Sequence, residues 1–224
     1  MKTNEELQRD VQNSIKWEPS LNAAEIGVTV KDGIVTLTGT VDSYSKKIEA
    51  ENATKNVAGV KAVAVEIEIN FGHSNQKSDT EIAQEIENSW RWNWEVPSDK
   101  IKVMVENGWV NLSGEVQWNY QKDAAKNSAQ NLLGVIGVSN NISIKADAGD
   151  RIEKIAIENA LSRSWSIDDE DIDVQVKGNN VTLTGVVDSI YQKDEAARIA
   201  WNAPGVYSVN NELMVDYEEV DDID

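Results

Sequence analysis

The sequence predicts an α+β fold of three tandem units, each a two-layer α-β-β-α-β sandwich. Three stretches match one another at residues 32–39, 107–114 and 178–185: DGIVTLTG, NGWVNLSG and GNNVTLTG. Offsets of 75 and 71 residues align them without a gap. One register therefore describes three copies of a single unit. It aligns two sets of repeat glycines, Gly39, Gly114 and Gly185 in the first and Gly59, Gly134 and Gly205 in the second.

The first element of each unit is predicted to be an amphipathic helix, because its apolar residues recur four apart on a polar background. Thr3 and Ser78 are each followed three residues later by a glutamate, Glu6 and Glu81, which is typical of a capping box. The apolar pairs are Val11 with Ile15, Ile86 with Trp90, and Ile157 with Leu161.

The next two elements are predicted to be a β-hairpin. Apolar residues alternate with polar ones on both sides of Asp32-Gly33 or Asn107-Gly108, dipeptides that favour tight hairpin turns. A second helix with small residues on one face follows. The second repeat glycine, Gly59 in the first unit, is expected to end this helix as a C-cap with positive φ. A last strand, parallel to the second through a right-handed crossover, completes a three-stranded mixed sheet with both helices on one face.

The repeat register places the units at residues 1–70, 78–146 and 150–216, with an acidic tail at 217–224. Units this small are only marginally stable alone, so contact between them is expected. The linker between the second and third units is the shorter one, and it predicts that this pair packs together.

Composition argues against most catalytic and metal chemistry. The chain has no cysteine and one histidine, His73, in the polar stretch between the first two units. The acidic cluster Asp168, Asp169, Glu170, Asp171 and Asp173 lacks the glycine and glutamate of a calcium loop and is interpreted as a solvated turn. We therefore expect no enzyme activity, no cofactor and no bound metal; an enzyme using carboxylates alone is the least favoured hypothesis.

Charge argues against nucleic acid as a partner. The formal net charge is −18, and residues 1–74, 75–149 and 150–224 carry −3, −3 and −12, so no third offers a basic patch for phosphates. There is no apolar run near 18 residues and no secretory signal pattern at the start, which predicts a cytoplasmic chain.

Tryptophan is concentrated in the middle unit, which holds five of the eight. Trp90 occupies the position of Ile15 and Leu161 and is predicted to be core. The others replace small, polar or charged residues of the other units and are predicted to lie on the surface, as candidates for an interface. The candidate residues are Trp92, Trp94, Trp109, Trp118 and Tyr120. Contact between units of this chain and contact with an external ligand remain alternative interpretations.

The order of elements, the motif from Gly33 to Gly39 and the later segment from Gly59 to Val63 resemble the BON domain, the bacterial osmotically inducible and nodulation module. Similar strings recur at residues 108–114 with 134–138, and at 181–185 with 205–209. The resemblance implies no catalysis and suggests attachment to phospholipid membranes and protection under osmotic stress. Many members are periplasmic or lipoproteins, whereas this sequence is more similar to three-copy members associated with stress.

Two functional hypotheses follow. The first is a stress-associated binding or scaffold protein that contacts a phospholipid membrane surface or another protein, mainly through the tryptophan-rich middle unit. The second is a self-associating scaffold, a homo-oligomer built through exposed aromatics and sheet edges without a lipid ligand.

Overall fold

The computed structural model describes residues 2–72, 77–145, 154–164, 167 and 171–216, which form three units of α-helices and mixed β-sheet. The first repeat contains α1 (Asn4–Lys16), β1 (Ile26–Lys31), β2 (Ile34–Val41), α2 (Tyr44–Lys55) and β3 (Ala62–Ile69). The middle repeat contains α3 (Asp79–Trp92), β4 (Ile101–Glu106), β5 (Trp109–Val116), α4 (Asn119–Gln130) and β6 (Gly137–Ile144). The third repeat contains α5 (Lys154–Ser162), β7 (Ile172–Lys177), β8 (Asn180–Val187), α6 (Ile190–Trp201), β9 (Ser208–Asn211) and β10 (Met214–Val215).

The second strand lies at the centre of each sheet. β2 pairs antiparallel with β1 and parallel with β3, and the other repeats follow the same pattern. The α+β fold class and the mixed sheets are therefore confirmed. The third repeat differs in one detail, because its last strand is divided into β9 and β10, both parallel to β8.

The hairpin turns follow from the residues that form them. Asp32 and Gly33 both have positive φ, as do Asn107 and Gly108, which is the backbone that two-residue turns of the Asp-Gly and Asn-Gly type require. In the hairpin turn of the third repeat, Gly178 has positive φ and Asn179 does not. A glycine at the first turn position makes the alternative tight turn, so the pairing of Lys177 with Asn180 is preserved.

Each repeat has its own core between the helices and one face of the sheet. In the first repeat Val11 of α1 and Ala50 of α2 pack with Leu37 of β2, and all three side chains are fully buried. The equivalent leucines Leu112 and Leu183 are likewise fully buried. Both helices thus cover the same face of the sheet, as the alternation of apolar residues predicted.

The predicted helix starts are confirmed. The Thr3 hydroxyl accepts from the Glu6 backbone N–H at 3.2 Å, and the Glu6 carboxylate accepts from the Thr3 N–H at 2.9 Å. Ser78 and Glu81 form the same reciprocal pair. These bonds hold the pKa of both glutamates below the ordinary value.

The repeat glycines have positive φ, but the predicted C-cap role of the second set is wrong. α2 ends at Lys55 with Asn56 as its C-cap, and Gly59 lies in the turn that follows. There the Val60 N–H donates to the Val57 carbonyl, so Gly59 occupies the third position of a four-residue turn, where positive φ is needed. Gly134 and Gly205 occupy equivalent turns.

The first set of glycines permits a close approach of two backbones. Gly39 has a φ of 125° and pairs with Ile26, and a Cβ at this position would collide with the carbonyl oxygen of Glu25. Gly114 and Gly185 face the carbonyl oxygens of Lys100 and Asp171 in the same way. A side chain at these positions is therefore excluded both by conformation and by space.

The repeats touch one another through their second helices. α2 packs on α6, and Lys55 forms an ion pair with Asp194 at 3.8 Å. Tyr44 of α2 and Trp201 of α6 both lie against the middle repeat's core. Contact is therefore not confined to the second and third repeats, as linker length had suggested. The first and third repeats, farthest apart in sequence, also meet.

No helix within the described ranges is both long and apolar enough to cross a membrane. The predictions for His73, for Asp168 to Glu170 and for the tail at 217–224 fall outside the described residues.

Candidate interaction surface

The most exposed candidate residues lie where α3 ends. Trp92 is its last residue and is 91% exposed, and Trp94 in the following turn is 86% exposed. Trp90 is 2% exposed, and its indole N–H donates to the Ala125 carbonyl at 3.4 Å. Residues two apart on a helix point to nearly opposite sides, so burial of Trp90 directs Trp92 away from the core. The prediction that Trp90 is core is confirmed.

The turn that carries Trp94 is held by its own polar contacts. The Asn93 side-chain carbonyl accepts from the Glu95 N–H at 3.0 Å, and its amide donates to the Ser128 hydroxyl at 3.5 Å. The backbone that presents Trp94 is thereby tied to α4. The indole itself is left to solvent on an ordered turn.

Trp17 is a third exposed tryptophan, and the sequence analysis did not include it among the candidates. It is the C-cap of α1 and is 84% exposed. It occupies the same repeat position as Trp92, and that shared position was the signal available from sequence. Lys16 and Arg91 directly precede the two tryptophans, so each helix end combines an indole with a cation.

Trp109 lies in the sheet of the middle repeat, not in its helical layer. It is on the sheet face that the helices do not cover, and it is 45% exposed. Its indole N–H donates to the Ser139 hydroxyl at 2.9 Å. Its ring lies across Gly137, where a Cβ would collide with it. The Trp109 side chain therefore makes contacts within its own sheet. Met104, 59% exposed, lies on the same outer face.

Trp118 is half-buried at the start of α4, where the other repeats have serine. Ser43 and Ser189 accept hydrogen bonds from backbone N–H groups of the first helical turn, which a tryptophan cannot do. In the middle repeat the Gln121 side chain instead accepts from the Trp118 N–H at 3.1 Å. Tyr120 is 42% exposed on the first turn of α4.

The candidate residues therefore do not form one patch. Trp92 and Trp94 protrude from the end of the helical layer, whereas Trp109 lies flat on the outer face of the sheet. Contact between repeats uses Tyr44, Ile190 and Trp201, none of which was a candidate. Their signal in the sequence was weak, because an aromatic or aliphatic side chain next to a helix end is compatible with many environments.

Two ionisable groups of α4 have shifted pKa values. Burial raises the pKa of Asp123 in spite of the nearby charges of Lys126, Lys122 and Arg198, and burial lowers the pKa of Lys122. The Asn119 side-chain amide donates to the Asp123 carboxylate at 2.7 Å.

The described residues form several open grooves. One of about 610 Å³, open to solvent beside β2, is lined by Glu25 and Asp42 with Thr40 and Asn70. Asp42 is paired with Lys46 at 2.7 Å, and this hydrogen bond lowers its pKa, so the carboxylate is a poor general acid. No group of three or more potential metal ligands occurs in the part of the chain that is described.

The family model for the BON domain matches this chain three times, at residues 3–70, 78–146 and 152–217. Over 130 residues the chain is 30% identical to "Osmotically-inducible protein Y" of Escherichia coli (strain K12), and this match covers 56% of this chain and 65% of that protein. It thus spans slightly less than two thirds of the relative.

Among solved structures, the C-terminal domain of CdsD, a structural protein of the Type III secretion system of Chlamydia trachomatis, aligns over 96% of this chain and 98% of that chain. The sequence identity is 18% and the TM-score 0.27, a likeness too low to support an argument. The three matches to the family model cover most of the sequence in the register of its internal repeats. The chain belongs to the BON domain family and carries three consecutive copies of that domain.

Proposed function

We propose that this chain is a non-enzymatic, stress-associated binding protein that contacts the headgroup region of a phospholipid membrane through the tryptophans at the end of α3. The observation that carries the proposal is the exposure of Trp92 and Trp94, at 91% and 86%. The osmotically inducible relative supports the association with stress. Indoles suit the boundary between lipid and water because they combine a large apolar surface with a polar N–H.

The expected affinity of this site alone is low. A tryptophan side chain has about 200 Å² of surface, and complete removal from water contributes at most about 5 kcal/mol at about 25 cal/mol per Å². Insertion to half depth gives about 2.5 kcal/mol for each indole, or about 5 kcal/mol for the two. That free energy corresponds to a dissociation constant in the range of roughly 0.1 to 1 mM.

The test is co-sedimentation of the full chain with phosphatidylcholine vesicles containing about a third of phosphatidylglycerol. We expect Trp92→Ala/Trp94→Ala to weaken binding strongly. The matched control is Ile155→Ala/Met214→Ala, which removes two apolar side chains, 68% and 66% exposed, from the third repeat. Equal binding by all three proteins, or no binding by any of them, would refute the proposal.

A second candidate function is self-association through the outer sheet face of the middle repeat. The exposure of Met104 and Trp109 favours this function, because both side chains lie on a sheet face that no helix covers. Sedimentation velocity over a dilution series tests it. Concentration-dependent oligomers that are lost on Met104→Ser support this function, and a monomer at every concentration excludes it.

A further inference from the structure

Two of the three second helices contact another repeat through their first residue. Tyr44 is the first residue of α2, and its partly buried side chain lies against the middle repeat's core. Ile190 holds the equivalent position in α6 and packs against the core of the first repeat. If the repeats are taken in the cyclic order first, middle, third and first again, each of these residues contacts the repeat that follows its own.

Residues near the ends of α2 and α6 contact the other neighbouring repeat. Lys55 near the end of α2 reaches Asp194 of the third repeat. Trp201, at the position equivalent to Lys55, lies against the core of the middle repeat. In cyclic order, each of these helix ends contacts the repeat that precedes it.

Head-to-tail contacts of this kind either continue into a filament or close into a ring. Here the first repeat touches the middle one, the middle one touches the third, and the third touches the first. Closure after three units requires a rotation of about a third of a turn with no net translation along the axis. Equivalent residues then lie at one height along that axis.

From this we infer that the three repeats form a closed ring with pseudo-threefold symmetry, and that the ring holds Trp17 level with Trp92 and Trp94 so that two repeats contact one lipid surface together. The inference rests on the proposed function and extends it to a second repeat. Trp17 is 84% exposed and follows Lys16, as Trp92 follows Arg91.

The arrangement favours a lipid surface over a protein pocket. The indoles protrude from two separate helix ends, Trp17 from α1 and Trp92 with Trp94 from α3, and a plane can receive both ends, whereas a pocket encloses one. The third repeat has Arg163 in place of Trp17 and Trp92. Lys16 and Arg91 balance the nearby Glu18 and Glu95, so both tryptophan-bearing helix ends are locally neutral in a chain whose net charge is −18, and this limits their repulsion from anionic headgroups.

Ring closure is tested first, without lipid. Asn13, Asn88 and Asn159 are exposed asparagines at one equivalent position of the first helices, and the natural chain has no cysteine. Pairwise spin labelling of Asn13→Cys, Asn88→Cys and Asn159→Cys gives three distances by pulsed electron paramagnetic resonance. Three similar distances support the ring. A distance from 13 to 159 well above the other two overturns it.

Lipid contact by two repeats is tested with Trp17→Ala on the vesicles described above. Linked weak sites reinforce each other, so we expect this variant to bind at least about tenfold more weakly, although Trp92 and Trp94 are intact. Unchanged binding by Trp17→Ala together with loss in Trp92→Ala/Trp94→Ala overturns this inference and leaves the proposed function standing. Unchanged binding by both variants refutes both.

Discussion

The Trp109 ring and Gly137 form a pair whose energetics can be dissected. The two residues are paired across β5 and β6, and the equivalent pairs are Ile34 with Ala62 and Asn180 with Ser208. In the middle repeat the indole lies where a Cβ of residue 137 would be. Gly137→Ala must therefore displace the ring.

The expected loss of stability follows from the burial and the hydrogen bond that the Trp109 ring would lose. Trp109 is 45% exposed, so about half of its roughly 200 Å² is covered, which is worth about 2.5 kcal/mol, and its hydrogen bond to Ser139 adds about 1 kcal/mol. Because a surface ring can partly relax, we expect Gly137→Ala to destabilise the middle repeat by about 1–3 kcal/mol.

The effect of Gly137→Ala on stability should change from destabilising to stabilising once the Trp109 indole is removed. In a Trp109→Ile background the pair resembles Ile34 with Ala62, and alanine in a strand is favoured over glycine by about 0.5–1 kcal/mol. Hydrogen exchange of the β6 amides measures the local free energy of opening in the full chain, where global unfolding of three repeats need not be two-state. The same change in free energy in both backgrounds would refute the proposed contact between ring and glycine.

Two further predictions concern polar groups. Ser78→Ala removes the N-cap of α3 and should destabilise the middle repeat by about 1 kcal/mol in thermal unfolding at neutral pH. Since hydrogen bonds from Ser78 lower the folded pKa of Glu81, their contribution is present above the ordinary value of 4.5 and is lost as pH falls through the folded value. The difference between Ser78→Ala and the natural chain should therefore shrink in acid, and a constant difference would contradict it. Burial raises the folded pKa of Asp123 above 3.8, so ionisation costs stability as pH rises through that window. Asp123→Asn should be at least as stable as the natural chain at pH 7 and less dependent on pH above 3.8, and a loss of stability at pH 7 would contradict this.

Local structure was predictable because it depends on short stretches of chain. The four-residue spacing of Val11 and Ile15, the alternation around Val35 and Leu37, and the Asp32-Gly33 turn each specify backbone geometry within a few residues. Repetition strengthened these predictions, since three copies had to satisfy one register. The predicted C-cap at Gly59 failed because a positive φ is equally compatible with the turn that follows a helix.

The exposure of the candidate residues was predictable only in part. A substitution such as arginine for tryptophan at the position of Trp92 indicates that the core is not involved, and helical periodicity then gives the direction of the side chain. The same comparison showed that the position of Trp109 varies between repeats, yet the ring packs against Gly137 within its own sheet. Variation between repeats shows that a position tolerates change, and it does not show what the side chain touches.

The chain's amino acids alone specify three α-β-β-α-β units, their caps and turns, and the aliphatic positions that are buried, because backbone geometry and hydrophobic periodicity act over a few residues. Only the folded arrangement reveals that Tyr44 lies against the middle repeat's core and that Lys55 meets Asp194. Such contacts join residues of different units, and they depend on how complete units are placed in space. That placement is determined by the summed complementarity of whole surfaces, which no local pattern of residues encodes.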